Sequence, residues 1–297
     1  MSAWGIDLGG TKIEGVVMDD PTQPEWRFRE RVPTEAHLGY EAILERIERL
    51  VEWMERDTGP RPATIGFSTP GAREPSTGLM KNCNTTCLNG KRLQDDLERR
   101  LGARCPVVND ANCFALAEAA MGAGRGASVV FGVILGTGVG GGLVVNGQVL
   151  NGAHGIAGEW GHNVLIPDGD PCYCGRKGCV ETVISGPALE RHYFSLAGES
   201  LRLPDIVSKA SQGGAAAQAT VDRLVTEFGR AVAVVINIVD PDVIVLGGGV
   251  GSITALAARA PQAIVPWLFN PTLETRLVRP ALGDSAGALG ACVVAAR

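Results

Sequence analysis

The spacing of apolar positions divides the chain into alternating strand-like and helix-like stretches. Trp4-Gly-Ile-Asp-Leu8 reads as a strand, Gly9-Gly10 as a tight turn and residues 13–18 as a returning strand, which together make a β-hairpin. The pattern recurs about 126 residues later. There Val129-Val-Phe-Gly-Val-Ile-Leu135 is a strand, Gly136-Thr-Gly-Val-Gly-Gly-Gly142 a loop and Leu143-Val-Val145 the returning strand. Two related halves follow from that repetition. Between the hairpins, Tyr40, Ile43, Leu44, Ile47, Leu50, Val51 and Met54 recur at three- and four-residue steps and predict an amphipathic helix over roughly 39–57. Leu93, Leu97 and Leu101 predict another. Asn109-Asp110 sits where the strand end Val107-Val108 meets an Ala-rich helix running from Ala111 to about Met121. A long stripe from Val221 to Ile236, the strand Asp242-Val-Ile-Val-Leu246 and the turn Gly247-Gly-Gly249 complete the pattern.

Strands alternating with helices argue an α/β architecture. No linker rich in Pro or Ser interrupts it, so a domain boundary is expected at a hinge near 110–115. That gives a smaller N-terminal α/β domain over 1–112 and a larger one over 113–283. A C-terminal helix, about 284–297, is left to pack back on the first. At 297 residues and 45% hydrophobic the chain can bury cores of that size.

With 27 Lys and Arg against 32 Asp and Glu the formal charge is −5, and no basic cluster offers the phosphate-neutralising surface of a nucleic-acid binder. The opening residues lack the regions of a signal peptide, and no apolar run approaches the roughly 20 residues of a membrane span. The reading is a cytoplasmic protein without nucleic-acid or membrane partners. Of eight cysteines, Cys172, Cys174 and Cys179 cluster while the others are scattered, which fits a metal knot better than a disulfide framework.

Glycines, 40 in all, gather at the ends of apolar segments, where backbone must approach something closely. The segment 136–141 matches G-x-G-x-x-G, but the dinucleotide motif requires a helix next and a strand follows instead. No P-loop sequence is present. The remaining functional reading is that Gly9-Gly10-Thr11-Lys12 and Gly136-Thr137-Gly138 present backbone N–H groups and Thr hydroxyls to phosphates. The bland alternative is a pair of tight hairpins, which the repetition of Thr beside Gly disfavours. Asp7, just before the first turn, suits a Mg²⁺ ion.

Asp7-Leu-Gly-Gly-Thr-Lys12, Gly136-Thr-Gly138 and Leu246-Gly-Gly-Gly249 resemble the first phosphate, second phosphate and adenosine segments of the actin-like ATPase and sugar-kinase superfamily. More narrowly, the chain resembles the ROK (repressor, ORF, kinase) sugar kinases along nearly its whole length. The likeness is to the fructokinase/mannokinase and N-acetylglucosamine kinase branches. It implies an actin-like, ribonuclease H-like, two-domain fold with ATP, Mg²⁺ and a hexose bound in a cleft between domains, and a homodimer. ATP contacts are then expected from Asp7, Gly9, Gly10, Thr11, Lys12, Gly136, Thr137, Gly138, Val139, Gly140, Gly247, Gly248 and Gly249, although Lys12 could equally be a solvated strand residue. Repressors of the family carry an additional DNA-binding domain, and none is expected here.

Cys172-x-Cys174-x4-Cys179 supplies three thiolates on a Gly-rich turn, and His162 lies ten residues upstream. Three Cys and one His make the closed tetrahedral set of structural zinc, with a disulfide to Cys179 as the alternative. The resemblance assigns the same four residues to zinc. Such a knot would fix the loop bearing Glu159 and Glu181. Sugar hydroxyls need convergent polar side chains, and the resemblance assigns Asn109, Asp110, Glu159, His162 and Glu181 to that task, with Gly71 and Asn84 also near the sugar. His162 would then serve zinc with one ring nitrogen and a sugar hydroxyl with the other. Taken singly, Asp110 could be a helix N-cap and Glu181 a solvated charge. Phosphoryl transfer needs an in-line hydroxyl, a carboxylate to accept its proton and charge support, and Asp110 is the expected base.

The leading expectation is an ATP-dependent hexose kinase acting at the 6-hydroxyl of fructose, with mannose or glucose secondary. N-acetylglucosamine is the alternative substrate, and a non-catalytic sugar sensor the alternative of another class. Lys81-Asn-Cys-Asn-Thr-Thr-Cys-Leu-Asn-Gly90, Ala157-Gly-Glu-Trp-Gly-His-Asn163 and Glu181-Thr-Val-Ile-Ser-Gly186 look like the fructokinase branch. Leu135-Gly-Thr-Gly-Val-Gly-Gly-Gly-Leu143 and Asn109-Asp-Ala-Asn-Cys-Phe-Ala-Leu116 look equally like the N-acetylglucosamine branch. Cys87 departs from the Trp usual in the fructokinase branch, which leaves room for a 2-acetamido group.

Overall fold

The computed structural model describes residues 2–297. Its strands are β1 Ala3–Leu8, β2 Lys12–Met18, β3 Phe28–Pro33, β4 Ile65–Thr69, β5 Ala72–Arg73, β6 Met80–Lys81, β7 Val107–Asn109, β8 Val129–Leu135, β9 Val139–Val145, β10 Gln148–Val149, β11 Val243–Gly247 and β12 Arg276–Val278. The α-helices are α1 Tyr40–Thr58, α2 Leu93–Leu101, α3 Asp110–Met121, α4 Val180–Ile184, α5 Gly186–Ala197, α6 Leu203–Ser211, α7 Ala215–Val239, α8 Gly248–Gly251, α9 Thr254–Ile264 and α10 Ala286–Ala295.

Two five-stranded sheets repeat one topology, β3-β2-β1-β4-β7 and β10-β9-β8-β11-β12. In the first, β1 and β2 pair antiparallel, as do β2 and β3, while β4 and β7 add in parallel. In the second, β9 and β10 are antiparallel, and β11 pairs in parallel with both β8 and β12. The repeated hairpin seen in the sequence is thus the seed of a repeated sheet. The second glycine loop is shorter than the sequence suggests, because β9 already starts at Val139. Its glycines serve close packing within the strand: a Cβ on Gly141 would overlap the Phe131 and Trp160 rings, at 2.8 and 2.9 Å.

The chain divides into two compact units, one of residues 1–126, 142–157 and 281–297, the other of 127–141 and 158–280. The division falls at Gly126 rather than near 112, and it runs through β9. In the first unit α3 stays with the N-terminal sheet because both pack on α10. Gly5 and Gly66, paired across β1 and β4, lie so close to α10 that a side chain on either would overlap its backbone. Gly290 does the same against the backbone of Cys113 in α3. The small residues Ala288 and Ala291 let the helix settle on the sheet, and Gly290 lets it settle on α3. On the same unit α1 buries Ile43, Leu44, Ile47, Leu50, Val51 and Met54 in a core shared with Ile6, Leu8 and Ile13. In the second unit the long helix α7 packs on α4, α5, α6 and α9.

Candidate active site

In the first unit, the turn after β1 is closed by Gly9 N–H donating to the Lys12 carbonyl at 2.9 Å. The buried Thr34 hydroxyl donates to the Gly9 carbonyl at 2.7 Å, and Thr34 N–H donates to the Thr11 carbonyl at 2.9 Å. These bonds leave Gly10 and Thr11 exposed at the tip. Asp7, at the end of β1, accepts a bond from the Ser68 hydroxyl of β4 at 2.6 Å. Burial pushes its carboxyl up to about 6, the Ser68 bond opposes this, and the nearby Asp110 and Glu14 carboxylates add to the rise. A carboxylate so poorly solvated, beside two other carboxylates, suits a divalent cation, whose charge would relieve both burdens. Lys12 points elsewhere: its ammonium lies 3.5 Å from both Glu14 and Asp284. Lys12 thus takes part in an ion-paired network.

That network centres on Glu14, fully buried on β2. Its carboxylate accepts from Arg29 at 2.7 Å, Arg31 at 2.9 Å and the Ser285 hydroxyl at 2.7 Å. The β2/β3 register puts Arg31 opposite Glu14. Burial acts against ionisation, yet the Ser285 and arginine bonds outweigh it and hold the Glu14 carboxyl below its usual range. The network ties β2 and β3 to the start of α10, next to Asp7.

The β7–α3 junction separates capping from chemistry. Asn109 is the N-cap, its Oδ1 accepting from Ala111 N–H at 3.0 Å and Asn112 N–H at 3.4 Å while its Nδ2 donates to the Gly71 carbonyl at 2.8 Å. The cap role considered for Asp110 therefore belongs to its neighbour. Asp110 is the first helical residue, where the helix field favours an anion, and its Oδ1 accepts from Ala111 N–H at 2.8 Å. Gly71 has φ +74°, and a Cβ there would meet Cys83 N at 2.8 Å, so glycine is needed on both counts. The Cys83 thiol is pushed up to about 12 by burial and by the neighbouring Asp110 carboxylate, which places this loop beside Asp110. Asn84 follows it and is exposed. Asn89 pins the loop, accepting from Cys83 N–H at 2.9 Å and donating to the Cys83 carbonyl at 3.1 Å.

In the second unit, Gly136 N–H donates to the Gly138 carbonyl at 2.9 Å and Gly186 N–H to the Gly136 carbonyl at 2.8 Å. Val139 N–H donates to Glu181 Oε2 at 3.0 Å. Glu181 is therefore seated on the hairpin rather than simply solvated, and the Val139 N–H expected to face phosphate is already paired. Space remains open at Gly136 and Gly249, where a Cβ would meet nothing within 4 Å. Gly248, at φ +81°, lies against the backbone of Leu135, so the 247–249 turn adjoins the second hairpin.

Glu159 and His162 flank a short 3₁₀ turn, Trp160–His162. Trp160 anchors it: the indole sits edge-on to Phe131 and Phe228 at 6.0 and 6.1 Å and donates Nε1–H to the Gly140 carbonyl at 2.9 Å. Burial raises the Glu159 carboxyl; His162 opposes the shift and Glu181 adds to it. His162, Cys172, Cys174 and Cys179 bring one ligand atom each within 4.8 Å of one another. Cys172 Sγ lies 3.5 Å from His162 Nδ1 and Cys174 Sγ 3.6 Å from Cys179 Sγ. A tetrahedral ion with zinc–sulfur and zinc–nitrogen bonds of about 2.3 and 2.0–2.1 Å requires edges of about 3.5–3.8 Å. The donor set and its spacing thus fit zinc, and all eight cysteines are free thiols, so the disulfide alternative is not what the structure adopts. His162 Nε2, expected to face a sugar, instead lies 2.9 Å from the Tyr173 hydroxyl, with the two rings edge-on at 5.1 Å. The Tyr173 side chain is otherwise largely exposed.

Sequence reasoning missed Ser68, Glu14, Trp160 and Tyr173. Only Tyr173, lying between Cys172 and Cys174, had a positional signal; the others depend on strand pairing and packing.

The family model for the ROK family matches residues 3–297. N-acetyl-D-glucosamine kinases of Salmonella paratyphi B and Salmonella typhimurium are each 37% identical over 305 aligned positions, covering 97% of this chain and 97% of theirs. The crystal structure of a ROK hexokinase from Thermus thermophilus superposes with a TM-score of 0.90 at 33% identity, over 100% of this chain and 98% of that one. A ROK family glucokinase from Streptomyces griseus, in complex with glucose and AMPPNP, superposes with a TM-score of 0.81 at 27% identity, over 100% and 99%.

Proposed function

The chain belongs to the ROK family and is an ATP-dependent sugar kinase of the actin-like fold, and from that premise we propose that its substrate is N-acetyl-D-glucosamine, phosphorylated at the 6-hydroxyl. The observation that carries this reading is the 37% identity to kinases of that sugar, sustained over 97% of both chains. It displaces fructose, the substrate first expected from the sequence, to second place. Fructose keeps one specific support, the likeness of segments 81–90, 157–163 and 181–186 to the fructokinase branch. The half-buried Cys87 stands against it, packed on the first unit's core where that branch carries Trp.

In this reading Asp110 accepts the proton of the 6-hydroxyl as the oxygen attacks the γ-phosphorus, and the bond from that phosphorus to the β-phosphate oxygen breaks to release ADP. The Asn109 cap fixes the carboxylate at the start of α3. Asn84 and Asn109 of the first unit, and Glu159 and Glu181 of the second, are the hydrogen-bonding groups for sugar, with Gly71 lining the approach; His162, whose Nε2 lies against the Tyr173 hydroxyl, serves the metal cluster. Gly10 and Thr11 of the first hairpin, whose turn Gly9 closes, and Thr137, Gly138 and Gly140 of the second, whose turn Gly136 closes, supply N–H and hydroxyl donors to phosphate oxygens, and Gly247, Gly248 and Gly249 border the adenosine. Asp7 would hold Mg²⁺, which supplies charge neutralisation on the phosphates. His162, Cys172, Cys174 and Cys179 would hold a structural zinc, which fixes the segment carrying Glu159 and Glu181.

The homodimer implied by the family likeness is part of the same proposal. Exposed Ile238, Trp267 and Phe269 gather near Asn237, which bonds both Trp267 and Phe269. Light scattering on the eluted protein decides it, a monomer mass being the contrary result. Among the described residues no helix is long and apolar enough to cross a membrane.

The test of the substrate is a competition. An equimolar mixture of N-acetylglucosamine and fructose with limiting ATP is sampled early, and the products are separated by mass and located by ³¹P–¹H correlation. N-acetylglucosamine 6-phosphate should dominate, and an excess of a fructose phosphate would reverse the assignment.

A further inference from the structure

Thr85 lies between the sugar-loop residue Asn84 and the 3₁₀ turn Thr86–Leu88, and its carbonyl accepts from Leu88 N–H at 3.0 Å, so its main chain is fixed. Its side chain is 4% exposed. Among the described residues its hydroxyl has no hydrogen-bond partner. A buried hydroxyl left unpaired loses its water without replacement, so such groups are uncommon unless something else completes them. What faces this one is the tip of the first glycine hairpin. A Cβ built on Gly10 would stand 3.7 Å from Thr85 Oγ1, so the buried hydroxyl lies directly behind the backbone of that tip. Gly10 and Thr11 themselves are exposed, with the turn's internal bonds made at Gly9 and Lys12.

We propose that Thr85 is a further catalytic residue, its hydroxyl donating a hydrogen bond to the transferring phosphoryl group carried at the Gly9-Gly10-Thr11 turn. The inference rests on the reading of that turn as a phosphate site. Phosphoryl oxygens only accept, and a hydroxyl whose proton is unspent is the matching donor. The bond strengthens as charge spreads over the equatorial oxygens in the transition state, so it acts on the chemical step more than on binding. Thr85 keeps its proton throughout, and Asp110 receives the one leaving the sugar. The position beside Asn84 puts the donor next to the residue read as a sugar contact, where attacking oxygen and phosphorus must meet.

The test compares Thr85→Val, Thr85→Ser and Thr11→Ala with the wild type. Thr85→Val keeps shape and burial while deleting the donor. Its kcat should fall at least tenfold, the dissociation constant for sugar should stay within about twofold by calorimetry, and Tm should be unchanged or higher because an unpaired buried hydroxyl has gone. Thr85→Ser should keep kcat within about threefold of wild type, since the donor survives. A Thr85→Val enzyme with more than half the wild-type kcat overturns the proposal, as does one whose Tm and sugar affinity drop together with activity, the mark of a structural role. Thr11→Ala separates the two layers. Wild-type kcat and KM for ATP in that variant would overturn the phosphate turn and the Thr85 assignment with it. A weakened Thr11→Ala beside an unaffected Thr85→Val would overturn the Thr85 assignment alone.

Discussion

Replacing Asp7 with Asn should stabilise the protein while disabling it. Asp7 keeps its bond from Ser68 in either form, because Asn Oδ1 accepts as the carboxylate does. The difference is charge. The Asp7 carboxyl is raised from 3.8 to about 6, chiefly by burial, against the unfolded chain where it ionises normally. Between those two pH values the unfolded state has released its proton and the folded state has not, so wild-type stability falls as pH rises through the window and stays lower above it. A rise from 3.8 to about 6 corresponds to about 3 kcal/mol at about 1.4 kcal/mol per pH unit. Asp7→Asn has no such loss. Its advantage over wild type in urea unfolding should be near zero at pH 4 and grow to about 3 kcal/mol at pH 8. Kinase turnover should collapse in the same variant, since a neutral amide is a poor Mg²⁺ ligand. A variant less stable than wild type at pH 8, or a difference independent of pH, would refute the claim that Asp7 is a strained carboxylate waiting for a cation.

Asp110→Asn should keep the fold and sugar binding while kcat drops by roughly 10²–10⁴-fold, the usual effect of losing a general base; calorimetry beside initial rates checks both, and more than a tenth of wild-type kcat removes Asp110 from that role. Glu14→Gln should destabilise the protein, toward the lower end of the roughly 3–5 kcal/mol for breaking a buried pair, because Arg29 and Arg31 are part-exposed and can reach water. As the Glu14 carboxyl is held below its usual range, the gap between variant and wild type should be full near neutrality and shrink as acid protonates Glu14; urea melts at two pH values measure it. Cys174→Ser should lose about one equivalent of zinc by metal analysis and weaken sugar binding more than ATP binding, because the four-residue cluster orients Glu159 and Glu181; equal metal content in both proteins contradicts this.

The parts of the fold legible in the sequence are those with local periodicity. The seven apolar positions of α1 recur on one face and are the residues buried there. β8 coincides with its apolar run, Val129–Leu135. β4 had no such signal: all five residues of Ile-Gly-Phe-Ser-Thr are buried, so the strand shows no alternation, and its Gly66 is explained only by the α10 backbone lying on it. The site follows the same rule. The Cys172, Cys174, Cys179 and His162 set is local enough to read from spacing, and the structure draws the four together. The Glu14 network joins residues more than 250 positions apart, through a strand register that no single-sequence pattern reveals. The pairing of His162 Nε2 with Tyr173 likewise depends on how one loop folds over another.

The identity of the phosphate acceptor is decided by kcat/KM of the wild-type enzyme for N-acetylglucosamine and for fructose, measured by coupled ADP release at saturating Mg-ATP. A few contacts worth roughly 1–3 kcal/mol separate such sugars by about 10–200-fold. The enzyme should prefer N-acetylglucosamine at least tenfold; a tenfold preference for fructose would overturn the assignment.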